Sequence, residues 1–253
     1  MFAEERLEKI IDIINKEGKV LVKDLSEMFN VSEGMIRKDL QKLEKQGDLK
    51  RTYGGAIANG NLKKSININT RIYKNIENKQ VVAKKAFDLI EEKDIIFLDI
   101  SSINFLLAQF IAEGNKRITL VTNMCSIPIL FGEDSNCNLI VIGGVYNKEL
   151  GGNVGAETIN TLKKYTFNKA FIGSSSVKLE NGTVCNFDLE EGNTKEAIIS
   201  QSNESYILME QEKFYYEGIY AFSTLQCIKG IITDKAPSED ILKVLKEYEV
   251  KLY

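Results

Sequence analysis

The chain has no histidine and no tryptophan, only two prolines in 253 residues, and no Cys-x-x-Cys pair. Without histidine there is no Ser-His-Asp or Cys-His catalytic arrangement, no histidine-containing zinc site and no imidazole pH switch. The four cysteines, Cys125, Cys137, Cys185 and Cys227, are well separated. Their spacing suggests neither a metal knuckle nor a dithiol, and they read as buried, reduced thiols. The glycine patterns of dinucleotide-binding and Walker A loops are missing as well. No apolar run approaches the roughly 18 residues of a membrane span, and the start Met1-Phe2-Ala3-Glu4-Glu5-Arg6 lacks a signal-peptide apolar region. The expectation is a cytoplasmic protein with no membrane partner, no metal site, no cofactor and no catalytic residue.

What is present is 43% hydrophobic content, enough to bury a core, in a length that suits a small and a medium domain. Charge is divided unevenly behind the net of −3. Residues 1 to 85 carry 18 Lys/Arg against 12 Asp/Glu, and the remainder 15 against 24. Arg37, Lys38, Lys42, Lys45, Lys50 and Arg51 crowd together, and Lys63, Lys64, Arg71, Lys74, Lys79, Lys84 and Lys85 follow with Glu77 as the one acid between residues 58 and 85. A basic stripe on an acidic protein points to a polyanion, whose phosphates the local field attracts.

Leu7, Ile10, Ile11 and Ile14 share one helical face, ended by Gly18. A second short helix carries Leu25, Met28 and Phe29 inward, and Asn30-Val31-Ser32 interrupts it. A third helix starts near Glu33 with Ile36, Leu40 and Leu43 as its buried stripe, which leaves Gly34, Met35, Arg37, Lys38, Gln41 and Lys42 for a partner. After Gly47-Asp48, the run Leu49 to Tyr53 ends in Gly54-Gly55, a pair that permits a tight reversal or a close backbone approach, and reads as a wing. Residues 58 to 76 have little apolar periodicity and read as a linker between a domain at 1 to 57 and another at 77 to 253. In the second domain, β-branched runs at 95–99, 118–122, 139–142, 170–172, 206–208 and 230–233 are divided by helical patterns, such as those around 78–92 and 105–112. That alternation predicts a mostly parallel α/β sheet covered on both faces. Ligands bind beyond the carboxyl ends of such strands, so Asp99, Thr122, Asn123, Gly143, Gly144 and Gly173 share the expected rim.

Three short helices, the third basic on its open face, then a glycine-ended strand, suggest a winged helix-turn-helix in which a helix enters the major groove of double-stranded DNA. The residues from Val22 to Glu33, then Ile36-Arg37-Lys38-Asp39-Leu40, Leu43-Glu44, Gly47, Leu49 and Arg51-Thr52-Tyr53-Gly54-Gly55-Ala56, resemble the amino-terminal signature of the DeoR family of bacterial transcriptional regulators. Val121-Thr122-Asn123, Gly143-Gly144, Phe171-Ile172-Gly173, Lys195 and Lys213-Phe214 follow in the family's order. The resemblance implies a repressor or activator of sugar catabolism. Its second domain, similar to ribose-phosphate isomerases and CoA transferases, would sense a phosphorylated sugar. It also implies DNA contacts at Ser32, Arg37, Lys38 and Arg51, with Met35, Lys42 and Tyr53 beside them. Effector contacts would come from Asp99, Ser101, Ser102, Thr122, Asn123, Gly143, Gly144, Gly173, Lys195 and Lys213. Helix-turn-helix proteins bind across paired half-sites, so a homodimer or homotetramer is expected.

The chain departs from that family at several points. Met35, Lys38 and Tyr53 stand where the family often has Thr, Arg and His, so the operator it reads can differ. Ser101 replaces the glycine of a D-x-G-T-T loop, and Glu210-Gln211-Glu212 stand where an aspartate and two serines are usual. Carboxylates facing the pocket would repel an anion unless Lys195 or Lys213 compensates. A pocket serving only oligomerisation, and an isomerase-like enzyme using Asp99, Glu210 or Lys213, remain as alternatives.

Overall fold

The computed structural model describes residues 3–17, 19–46, 48–58 and 68–253, which fall into two compact units, Met1–Lys64 and Ser65–Tyr253. Gly18, Gly47, Lys63, Lys64 and the other residues of the expected linker from 59 to 67 lie outside the described residues, as does the side chain of Lys50.

The first unit contains α1 (Ala3–Glu17), β1 (Lys19–Leu21), α2 (Val22–Phe29), α3 (Glu33–Gln46), β2 (Leu49–Thr52) and β3 (Gly55–Ala58). Leu7, Ile10 and Ile14 of α1 pack with Leu25, Ile36, Leu40, Leu43, Leu49 and Ala56 in one core. Asn30 ends α2 in the left-handed region at φ 51°, and the bonds Asn30 N to Glu27 O and Val31 N to Ser26 O close the helix in the Schellman manner. Met28, expected inward, is 62% exposed. At 3.6 residues per turn Val22, Leu25 and Phe29 form one stripe and Met28 falls roughly 90° from its centre. The wing is an antiparallel sheet in the order β1-β3-β2. Its two glycines do different work. Gly54 turns the chain at φ +81°, while a Cβ on Gly55 would lie 2.0 Å from the Val20 carbonyl oxygen, so β1 can approach β3 only because Gly55 has none.

The second unit begins inside the stretch read as linker. Helix α4 (Ile68–Tyr73) buries Ile68 and Ile72 in the core beneath the main sheet. Two anchors in six residues are too few for sequence periodicity to reveal. Next come α5 (Ile76–Asp88), β4 (Ile95–Leu98), α6 (Ser102–Glu113), β5 (Thr119–Thr122), β6 (Asn138–Val141), the hairpin of β7 (Val145–Asn147) and β8 (Gly152–Val154), and α7 (Ala156–Leu162). These are followed by β9 (Phe167–Gly173), β10 (Ser176–Lys178), β11 (Thr183–Asn186), α8 (Leu189–Ser200), β12 (Ser202–Leu208), β13 (Tyr220–Thr224), β14 (Gly230–Ile232), α9 (Glu239–Glu247) and β15 (Lys251–Leu252).

The main sheet is parallel throughout, in the order β15-β14-β12-β9-β4-β5-β6. Alternate residues of one strand feed opposite cores: Ile96 and Leu98 pack against α5 and α6, Phe97 against Ala197 and Ile198 of α8. Both faces are therefore covered, as the unbroken apolar runs imply. An antiparallel sheet β10-β11-β13 and the β7-β8 hairpin lie outside the parallel pattern. Of the cysteines only Cys185 is buried; Cys125 and Cys227 sit in exposed turns and Cys137 is half-buried, contrary to expectation.

One polar contact inside the first core was not visible in the helical stripes. Arg6 of α1 reaches Asp39 of α3 with Nε 2.6 Å from Oδ2 and Nη2 3.3 Å from Oδ1, and both residues are over 90% buried. Removing one partner leaves a buried charge alone, which typically costs about 3–5 kcal/mol, whereas replacing both by apolar groups is often neutral. Asp39→Ala should lose about that much in urea unfolding, and Arg6→Met with Asp39→Leu should recover most of it.

Candidate DNA-binding face and sensor site

The helical repeat that buries Ile36, Leu40 and Leu43 turns Ser32, Met35, Arg37, Lys38 and Lys42 outward, and all five are exposed. Ser32 starts α3: its Oγ accepts from Met35 N at 3.3 Å, and its carbonyl accepts from Met35 N and Ile36 N. Arg37 pairs with Glu33 one turn back, Nη2 to Oε2 at 2.6 Å. Arg51, on β2, donates its backbone N–H to Glu44 Oε1 at 2.8 Å, which ties the wing to α3, and Tyr53 is fully exposed at the wing's turn. The seven nominated residues thus all lie on the solvent side of one unit, four of them basic.

At the carboxyl end of the main sheet Asp99, 1% exposed, is the hub. Its Oδ1 accepts from Asn104 Nδ2 at 2.6 Å and from Gly173 N at 3.1 Å, and its Oδ2 takes the Lys195 ammonium. Lys195 also donates to the Gly173 carbonyl at 2.8 Å and lies 3.2 Å from Glu191 Oε1, one turn back on α8. Burial pushes the Asp99 carboxyl up against the pull of Lys195, while Asp99 and Glu191 together outweigh burial and hold the Lys195 ammonium above its usual value. Two acids share one base.

Thr122 braces the rim, donating to Leu98 O at 2.7 Å and accepting from Met124 N. Asn123 donates to Asn153 O at 2.8 Å, but its buried Oδ1 has no partner among the described residues. Asp99, Ile100, Asn123, Glu191, Thr194, Lys195 and Ile198 line one narrow crevice that is too tight in this arrangement to admit a water molecule. Ser101 is at its edge: its Oγ accepts from Asn104 N and caps α6, and its Cβ would collide with any Cβ on Gly173. Ser102 is half-buried in the first turn of that helix. Gly143 and Gly144 do not join the crevice. Gly144, at φ +152°, has no room for a Cβ beside Thr158, whose hydroxyl donates to Gly143 O, so the pair turns the chain out of β6. Lys213 reaches the neighbourhood through Ser174 O at 2.8 Å.

Sequence reasoning missed Asn104, Asn153 and Glu191, and also a basic group beside Glu210. Lys79, 4% exposed, donates to the carbonyls of Arg71 and, at 2.6 Å, Lys74; Asn75 Nδ2 donates to Glu210 Oε1 at 3.0 Å. Burial pushes the Lys79 ammonium down to about 8 against the pull of Glu210. Glu212 instead accepts from the Tyr216 hydroxyl at 2.7 Å.

Lys195→Met would leave Asp99 and Glu191 buried without a cation and should cost about 3–5 kcal/mol in thermal or urea unfolding near neutral pH. A carboxyl raised in the folded state is favoured there when protonated. The deficit relative to wild type should therefore shrink as pH falls through the Asp99 titration, and grow as pH rises.

Two family models match the chain: the DeoR-like helix-turn-helix domain over residues 6–61 and the DeoR C terminal sensor domain over residues 74–235. The chain is 30% identical to the lactose phosphotransferase system repressor of Staphylococcus epidermidis, over 97% of this chain and 98% of that one. It is 29% identical to the HTH-type transcriptional regulator GolR of Listeria innocua, over 98% and 96%. Among solved structures, ribose 5-phosphate isomerase A of Methanocaldococcus jannaschii is similar at 17% identity and a TM-score of 0.41, covering 55% of each chain. Among the described residues no helix is long and apolar enough to cross a membrane. The chain belongs to the DeoR family: it is a DNA-binding transcriptional regulator with a sensor domain.

Proposed function

We propose that this regulator represses a carbohydrate-utilisation operon and releases its operator when a phosphorylated sugar binds the second unit, acting as a homodimer or homotetramer. The observation that carries the reading is the polar rim around Asp99, where an otherwise apolar, doubly covered sheet gathers a buried carboxylate, an ammonium and an amide oxygen without a partner. The Asn123 oxygen can accept from a hydroxyl of a polyol, while Asp99 and Lys195 are paired with one another and would exchange partners to meet the others. The lactose phosphotransferase system repressor among the relatives supports a sugar-linked effector.

On DNA, α3 would read base edges through Met35, Arg37 and Lys38, with Ser32, Lys42, Arg51 and Tyr53 on the backbone. The Arg37–Glu33 pair is exposed and such pairs are worth about 0–1 kcal/mol, so a phosphate or a guanine displaces Glu33 readily. Release by an effector requires that it bind the DNA-free arrangement more tightly than the DNA-bound one. A second reading, an oligomerisation domain with no ligand, is favoured by one observation: Ser101 spends its hydroxyl on a helix cap where the family's loop has glycine.

Arg37→Ala and Arg51→Ala should each weaken operator binding with unchanged circular dichroism, and wild-type affinity in both would remove these contacts from the interface. If a dimer neutralises six to ten phosphates, affinity should drop by about 10³–10⁵ between 50 and 200 mM salt. Thermal unfolding against a panel of phosphorylated and free sugars separates the two readings. At about 100-fold over Kd, a true effector stabilises by about 2.7 kcal/mol, whereas the oligomerisation reading expects no shift with any sugar.

A further inference from the structure

The nitrogens Nε and Nη2 of Arg71 are buried and have no hydrogen-bond partner among the described residues. Buried guanidinium N–H groups without acceptors are costly and rare, and they signal an absent partner such as an ion. Arg71 is on α4, and Lys79 fixes the stretch around it by holding the carbonyls of Arg71 and Lys74. Lys213 approaches from the turn that follows β12, with one of its three donors on Ser174 O. The three cations are close enough to disfavour one another's charge, and burial and mutual repulsion lower both lysines. Glu210 opposes them and Glu212 also faces Lys213, but one oxygen of Glu210 is engaged by Asn75 and one of Glu212 by the Tyr216 hydroxyl. Arg71 keeps its charge in this largely dehydrated setting, with two of its nitrogens answered by neither carboxylate.

We propose that Arg71, Lys79 and Lys213 form an anion subsite that seats the phosphoryl group of the effector, beside the Asp99 crevice and distinct from the Asp99-Ser101-Ser102 loop. It rests on the phosphosugar reading above and specifies where each half of that ligand goes. Arg71 supplies a planar fork matched to two phosphoryl oxygens, and Lys213 and Lys79 supply point charges. Ser174 O, bonded to Lys213, follows directly on Gly173, which bonds both Asp99 and Lys195. Lys213 is thereby tied one residue along the chain from the Asp99–Lys195 contact, which is why cluster and crevice are assigned to two halves of one molecule. The loop needs no glycine in this arrangement, which accounts for the tolerance of Ser101.

The test is inorganic phosphate titrated into the full-length protein, followed by calorimetry and ³¹P line width, with wild type, Arg71→Gln, Arg71→Lys and the distant surface variant Lys246→Gln. Arg71→Gln should weaken phosphate binding at least about tenfold, Arg71→Lys should restore part of it, and Lys246→Gln should match wild type. With sulfate, whose own charge is constant there, affinity should fade as pH rises through about 8, where Lys79 loses its proton. Equal phosphate affinity in wild type and Arg71→Gln, or no binding by wild type, overturns the subsite. If a phosphosugar then still dissociates wild type and Arg71→Gln alike from the operator, the sensor reading survives its loss. If phosphate binding depends on Arg71 but no phosphosugar binds, the subsite stands and the sugar assignment falls.

Discussion

The carboxylate of Asp99 can be buried only because Lys195, Gly173 N and Asn104 Nδ2 satisfy it, and that requirement organises the second unit. The contact joins the end of β4 to the end of β9, to the start of α6 and to the middle of α8. A cation alone would leave lone pairs unpaired, and hydrogen bonds alone would leave a charge in an apolar interior. With two acids to one base, Asp99 and Glu191 make the rim sensitive to any further charge brought beside it. Crevice and basic cluster are thus halves of one electrostatic problem, acid-rich on the Asp99 side and base-rich around Arg71.

Much of this fold was legible because it is written in local periods. Ile36, Leu40 and Leu43 repeat with the turn of a helix, and the runs at Ile95–Leu98 and Thr119–Thr122 have no polar side because neither face of the sheet meets water. The rim residues Asp99, Thr122 and Asn123 were legible for the same reason, since Asp99 and Asn123 each follow directly on a strand run and Thr122 ends one. What depended on distance was not. Arg6 and Asp39 are 33 positions apart and Asp99 and Lys195 are 96, and nothing in either neighbourhood announces its partner.

Other failures have equally definite causes. Gly143 and Gly144 look like a ligand loop by composition, but Gly144 lacks a side chain to make room for Thr158, and Gly143 offers that hydroxyl its carbonyl. Helix α4 was hidden because its neighbours are polar and only Ile68 and Ile72 anchor it. Arg71 consequently looked like one more linker charge, although its Nε and Nη2 end up buried beside that helix.

The close contact of Gly55 with Val20 bears on how the first unit meets its target. Val22 N donates to Gly54 O at 2.9 Å, Arg51 N to Glu44, and Leu49 and Ala56 share a core with Ile36 and Leu40. The wing is therefore braced at its turn, along its strand and from beneath, and the separation between Tyr53 and the outward face of α3 is set before any partner arrives. Such a unit behaves as a fixed gauge: its ordering entropy falls on folding and not on association, and a duplex of the wrong groove width must deform to fit it.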